Sequence, residues 1–179
     1  MNKILTKIQK ISYFLALLSV VLLFAYSLVC GTAAAGTRFG DDAETYFVNF
    51  NVFNVQVLYY AIAGFICFGA LAVFDTGKRK KYYLSNGIVI GIFAVYSIVT
   101  AILLVPNIQY FSAEYMNLLE TGYFENLYYT LFKAWYLTDT FLIDIGYLPM
   151  VMLLATSVML LFVAAYKYLN QRKEKKEVE

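Results

Sequence analysis

Asp75-Thr-Gly-Lys-Arg-Lys-Lys-Tyr-Tyr83 is a basic turn between two long apolar runs, and its reading decides the fold. Four consecutive cations, Lys78 to Lys81, on so short a loop are held on the cytoplasmic side when a membrane protein inserts. The apolar runs on either side must then cross the bilayer away from it. A basic turn on a soluble helical hairpin is the bland alternative. Such a hairpin would carry a polar face on each helix, and the flanking runs carry none.

Composition agrees. Of the 179 residues, 61% are hydrophobic and 15% charged, against roughly half and a quarter in a soluble domain. Net charge is only +2, but its placement is uneven. Lys3, Lys7 and Lys10 open the chain, and Lys167, Arg172, Lys173, Lys175 and Lys176 close it, leaving only Arg38 and Lys133 elsewhere outside the turn. Asp41, Asp42, Glu44, Glu114, Glu120, Glu125, Asp139 and Asp144 fall in the segments expected to face outward. Both termini are expected in the cytoplasm, which requires an even number of crossings.

Outward from the turn, four spans of near-bilayer length follow at 1.5 Å per residue. They are expected at 11–30, 57–74, 87–105 and 149–166, with outer segments at 31–56 and 107–148, a cytoplasmic turn at 75–86 and a cytoplasmic tail at 167–179. The expected class is an all-α integral membrane protein: one membrane domain, a four-helix bundle with short amphipathic helices between spans three and four. The small-residue stretch Cys30-Gly-Thr-Ala-Ala-Ala-Gly36 resembles a signal-peptide cleavage site, but the apolar run before it exceeds a usual h-region. Residues 45–56 alternate apolar and amide residues, then slip phase at Phe53. The reading is a helical extension of span two, with a short strand as the alternative. Pro106 is expected to stop span three, Pro149 to break or kink the last helix, and Thr138-Asp-Thr140 to cap it.

Two features invite a functional reading. Gly87, Gly91, Ala94, Ser97 and Ala101 recur at spacings of three and four, leaving one face of span three almost bare of side chain, so that another backbone can approach it. Packing within the bundle or against a partner protein would both use such a face. The outer segment 107–148 holds twelve aromatic residues, among them the single tryptophan. One stripe joins Ile108, Phe111, Tyr115, Leu118 and Leu119. Another joins Phe124, Leu127, Tyr128, Leu131 and Trp135, opposite Glu125, Asn126, Thr130 and Lys133, and Gly122 separates the two. Aromatic amphipathic helices of this kind lie among lipid headgroups, cover the end of a bundle, or meet another subunit. Phe124, Tyr128, Leu131, Lys133 and Trp135 are therefore the expected contacts with lipid or a partner.

The chemistry that is missing is also informative. Histidine is absent, which removes the commonest general base and the commonest zinc ligand. None of the four spans contains Asp, Glu, Lys or Arg, the usual mark of ion and proton pathways. No phosphate loop, metal-ligand spacing or nucleophile motif is present, so neither enzyme activity nor a cofactor is expected. Cys30 and Cys67 lie at different depths and read as packing residues rather than a disulfide. The basic patches adjoin the inner leaflet, so membrane lipid, and not nucleic acid, is the expected partner. High Tyr, Phe, Ile, Asn and Lys usage would suit a low-GC bacterium. Two function classes remain: an accessory or structural subunit of a larger membrane complex, acting through its outer aromatic segment, or a small homo-oligomeric channel or transporter lined by Asn49, Asn51, Asn54, Ser97 and Thr100.

The topology has a direct test. A cysteine replacing Ser112 labels with an impermeant maleimide in intact cells, and one replacing Lys80 does not. The reverse pattern, or labelling of both, excludes this orientation.

Overall fold

The computed structural model describes residues 3–34, 41–74, 84–120 and 139–176. Among these there are only helices: α1 Lys3–Ala34, α2 Asp41–Phe74, α3 Leu84–Glu120, the single turn α4 Phe141–Asp144 and α5 Tyr147–Lys176. α1, α2, α3 and α5 are each long and apolar enough to cross a membrane. α1 packs on α2 and α5, and α3 packs on the same two. The four therefore form a square bundle in which each helix touches two neighbours. Contacts between chain-distant ends set the directions as alternating. Tyr26 of α1 meets Ile143 before α5, Tyr46 of α2 meets Phe111 late in α3, and Asn86 at the start of α3 donates from Nδ2 to the Phe74 carbonyl at the end of α2, at 3.0 Å. That last bond satisfies one carbonyl that a helix end leaves free, and it fixes the two helices on either side of the basic turn.

The helices outrun the spans. α3 has 37 residues, about 55 Å at 1.5 Å per residue, whereas the hydrocarbon layer is about 30 Å thick. Residues 45–56 are helical, as the favoured reading of that stretch has it, and the strand alternative is not formed. Residues 41–44, in the expected outer segment, form the first turn of α2.

Pro106 does not end span three. The helix continues through it to Glu120, so 107–119 is the outer half of one helix and not a separate amphipathic piece. A proline removes one backbone donor from the ladder, and membrane helices tolerate this when other groups satisfy the freed carbonyls. Pro106 frees the Ile102 carbonyl, and next to it the Asn107 side-chain amide donates to the Leu103 carbonyl at 2.8 Å. Packing decides the rest, because Ile108, Phe111 and Tyr115 are buried against the bundle. Pro149 starts a helix and breaks none: it is the third residue of α5, where backbone N–H groups lack intrahelical partners in any case.

Within the chain itself, only part of the small-residue face of span three is packed. Ala94, Ser97 and Ala101 are buried, but a Cβ built on Gly87 or Gly91 meets nothing within 4 Å, so no neighbouring backbone presses on that part of the face. The close approaches lie at Gly64 and Gly146. A Cβ on Gly64 would strike the Tyr96 hydroxyl and lie 3.1 Å from Val20 Cγ1, and one on Gly146 would lie 2.6 Å from Tyr26 Cζ.

A glycine-to-alanine series separates the two kinds of site. In a helix interior the exchange gains up to about 1 kcal/mol in intrinsic propensity, whereas overpacking costs about 1–3 kcal/mol. Gly64→Ala and Gly146→Ala should lower the thermal unfolding midpoint in detergent, while Gly87→Ala and Gly91→Ala hold or raise it. Equal shifts at all four positions would contradict these packing assignments.

Candidate functional site

The interior of the bundle carries more polar groups than a lipid-soluble helix pack requires. Ser12, Ser19, Ser27, Ser97, Thr100, Thr156 and Ser157 are all buried, as is Asn54. Most of the hydroxyls close on their own helix: Ser12 donates to Ile8 O at 2.9 Å, Ser97 to Phe93 O at 2.9 Å and Thr156 to Met152 O at 2.6 Å. Such back-bonding satisfies the hydroxyl without a partner helix. Ser157 differs, donating across the bundle to Ser97 Oγ at 2.7 Å. That bond ties α5 to α3 at mid-length through a relay that ends on a backbone carbonyl. Asn54 Oδ1 is buried with no partner among the described residues. Asn49 and Asn51, one turn away on the same helix, point out of the bundle.

Three tyrosines make the longer ties. Tyr26 OH donates to Ile143 O at 2.9 Å, Tyr46 OH to Phe111 O at 3.0 Å and Tyr96 OH to Tyr60 O at 2.9 Å. Tyr26 and Tyr96 each occupy the room left by a glycine, Gly146 and Gly64 respectively.

At the end opposite the basic turn the core becomes aromatic. Tyr46 and Phe50 stack nearly parallel with centroids 5.8 Å apart, and Phe111 stands edge-on to both, at 5.7 and 5.1 Å. Phe53 lies 5.2 Å from Phe111, and Tyr115 closes the layer beside Tyr46 at 6.1 Å. Edge-to-face and offset contacts at these spacings are the favoured aromatic geometries. The stripe Ile108, Phe111, Tyr115, Leu118, Leu119 is thus spent inside the bundle, on α2, and is not laid on a lipid headgroup layer. The amides at 49, 51 and 54 made 45–56 look unlike core, yet Tyr46, Phe50, Phe53 and Val57 fall on one face between them. Spacings of four, three and four across the apparent alternation were the signal for it.

α4 crosses this end. Thr140 precedes it without a side-chain cap bond. Its hydroxyl instead donates to Asp144 Oδ2 at 2.6 Å, and its N–H to Asp139 Oδ1 at 2.7 Å. One threonine thereby holds two carboxylates that stand five residues apart in the chain. At the basic end Lys167 Nζ donates to Gln9 Oε1, at 2.5 Å, joining the two terminal helices. Among the described residues no cluster of His, Cys, Asp and Glu is arranged for a metal, and Cys67 is a free thiol. Phe124, Tyr128, Leu131, Lys133 and Trp135 lie outside the described residues.

Two neighbouring aromatics test the layer. Phe111 is buried and Tyr110 exposed, so Phe111→Ala should cost about 3–5 kcal/mol through the cavity it leaves, and Tyr110→Ala about 0.5 kcal/mol or less. Unfolding of both variants in detergent measures the difference, and equal costs would mean that the aromatic layer is not the core of this end. The chain matches no protein-family model, no curated protein and no solved structure.

Proposed function

We propose that the protein is a non-enzymatic, multi-pass membrane subunit that serves a larger membrane assembly, with the basic end of its bundle in the cytoplasm and its outer aromatic end turned to partners or headgroups. The observation that carries this reading is how the polar interior is used. Most of the buried hydroxyls close on their own backbone or on each other, Thr100 Oγ1 being buried with no partner among the described residues, and tyrosine side chains fill the approaches at Gly64 and Gly146. Such an interior mainly braces helices against one another. The described length beyond the hydrocarbon layer, several turns of α2 and α3 around an aromatic core, makes a rigid base at the end where the sequence puts Phe124, Tyr128, Leu131, Lys133 and Trp135.

The channel reading is less well supported. Asn54, Ser97 and Thr100 are buried in the bundle, whereas Asn49 and Asn51 face away from it. Those residues do not line one path.

Copurification tests the proposal. The tagged chain, extracted in mild detergent, is expected to bring other membrane chains with it, and Trp135→Ala combined with Phe124→Ala should weaken that association by about 2 kcal/mol or more while insertion and helix content stay unchanged. If the double variant recovers the same chains at the same yield, the outer segment is not the contact.

A further inference from the structure

α2 is the least enclosed of the four long helices. In its span 22% is buried, against 39% for each of α1, α3 and α5. Its outward face is continuous and apolar: Val48, Val52, Val55, Tyr59, Ile62, Ile66, Gly69 and Val73, at spacings that alternate four and three from end to end. The seven residues with side chains are 42–69% exposed, and a Cβ on Gly69 would meet nothing within 4 Å. An outward face at helical spacing is no more than any lipid-facing helix shows. Where this one lies sets it apart. A 30 Å hydrocarbon layer takes about 20 residues, so a layer that ends at Phe74 beside the basic turn begins near Val55. With the layer so placed, Val48 and Val52 stand beyond it. The outward face of α3 behaves in the ordinary way, turning over to exposed Gln109, Ala113, Asn117 and Glu120 past Val105, with only Tyr110 and Met116 as exposed large apolar residues.

The flanks of the outer part of the stripe are amides. With Val52 and Tyr59 at position a and Val48 and Val55 at position d, Asn49 and Gln56 fall at e and Asn51 at g, and all three are exposed. A narrow β-branched seam with polar e and g residues is the pattern of a helix that pairs with its like. Copies of one membrane protein insert in the same orientation, so two α2 helices brought face to face run parallel and place each a and d residue opposite itself. In that register the g residue of one chain faces the e residue five positions on in the other. Asn51 meets Gln56 of the second copy, twice by symmetry. Two primary amides offer donors and acceptors to each other, without charge.

From the seam, its extension past the hydrocarbon and the spacing of its amides, we infer that this face of α2 is the docking surface for α2 of a second copy, forming a parallel two-fold pair. The inference rests on α2 alone and is independent of the outer segment's role. Two-fold pairing is the commonest closed symmetry among homo-oligomers. β-branched side chains have little rotamer freedom to lose on pairing, and Gly69 allows the backbones to close toward the basic end.

Cysteine crosslinking of the full chain in lipid bilayers tests it, in a Cys30→Ala, Cys67→Ala background. Val52→Cys and Ile62→Cys should each give a covalent dimer under mild oxidation, with a yield about tenfold above their depth-matched controls Gln109→Cys and Val95→Cys on α3, in line with about 1.4 kcal/mol of specific association. Charge exchange on exposed residues supplies the second arm. Asn51→Lys with Gln56→Lys sets like charges across both flanks and should reduce the Val52→Cys dimer about tenfold. Asn51→Lys with Gln56→Glu should restore it, and high salt should weaken the restored pair. Equal crosslinking on α2 and α3, a monomeric or three-chain mass, a crosslink only to a different polypeptide, or indifference to the charge exchange would each overturn the inference.

Discussion

Everything in the bundle hangs on two places where a tyrosine lies in the room of a missing side chain. The Tyr26 ring occupies the position of a Cβ on Gly146, and its hydroxyl donates to the Ile143 carbonyl. The Tyr96 hydroxyl occupies that position at Gly64 and donates to the Tyr60 carbonyl. In lipid there is no hydrophobic drive between helices, since the solvent is as apolar as the side chains, so association rests on close packing and interhelical hydrogen bonds. A tyrosine against a glycine supplies both at once. The first contact ties α1 to the turn before α5, and the second ties α3 to α2. With Ser157 joined to Ser97, and Tyr46 to Phe111, three sides of the square are held by directional bonds.

The polar interior follows from the same solvent. A hydroxyl on a membrane helix must be satisfied inside the protein, and back-bonding to the carbonyl one turn earlier is the route used by Ser12, Ser97 and Thr156. Such groups add little to any one interface. The aromatic end is built differently. Tyr46, Phe50, Phe53 and Phe111 are buried against one another there, and this packing carries the helix onward past Pro106. The proline lies near the boundary between the hydroxyl-bearing and the aromatic interior.

Much of the architecture was legible before any tertiary contact was known. Hydropathy and length gave four helices capable of spanning a membrane, because in a bilayer each backbone polar group must be satisfied within its own segment and the apolar run that results is unmistakable. Helix ends were legible only where charge or a break in hydropathy marked them, as at Phe74 before the basic turn. At Pro106 the local rule pointed to a stop, and the burial of Ile108, Phe111 and Tyr115 overrode it.

Which glycine is pressed by a neighbour was not legible. Gly87 and Gly91 sit in the more regular small-residue pattern and face open space, while Gly64 and Gly146 sit in no pattern and receive the tyrosines. The reason is physical. Membrane-spanning capacity is a property of one helix and is written in its own hydropathy, so the sequence by itself determined it. A socket is a property of two helices at one height and rotation, so the partners Tyr26 with Gly146 and Tyr96 with Gly64, and the facing of Ser97 and Ser157, were decided only when the four helices met.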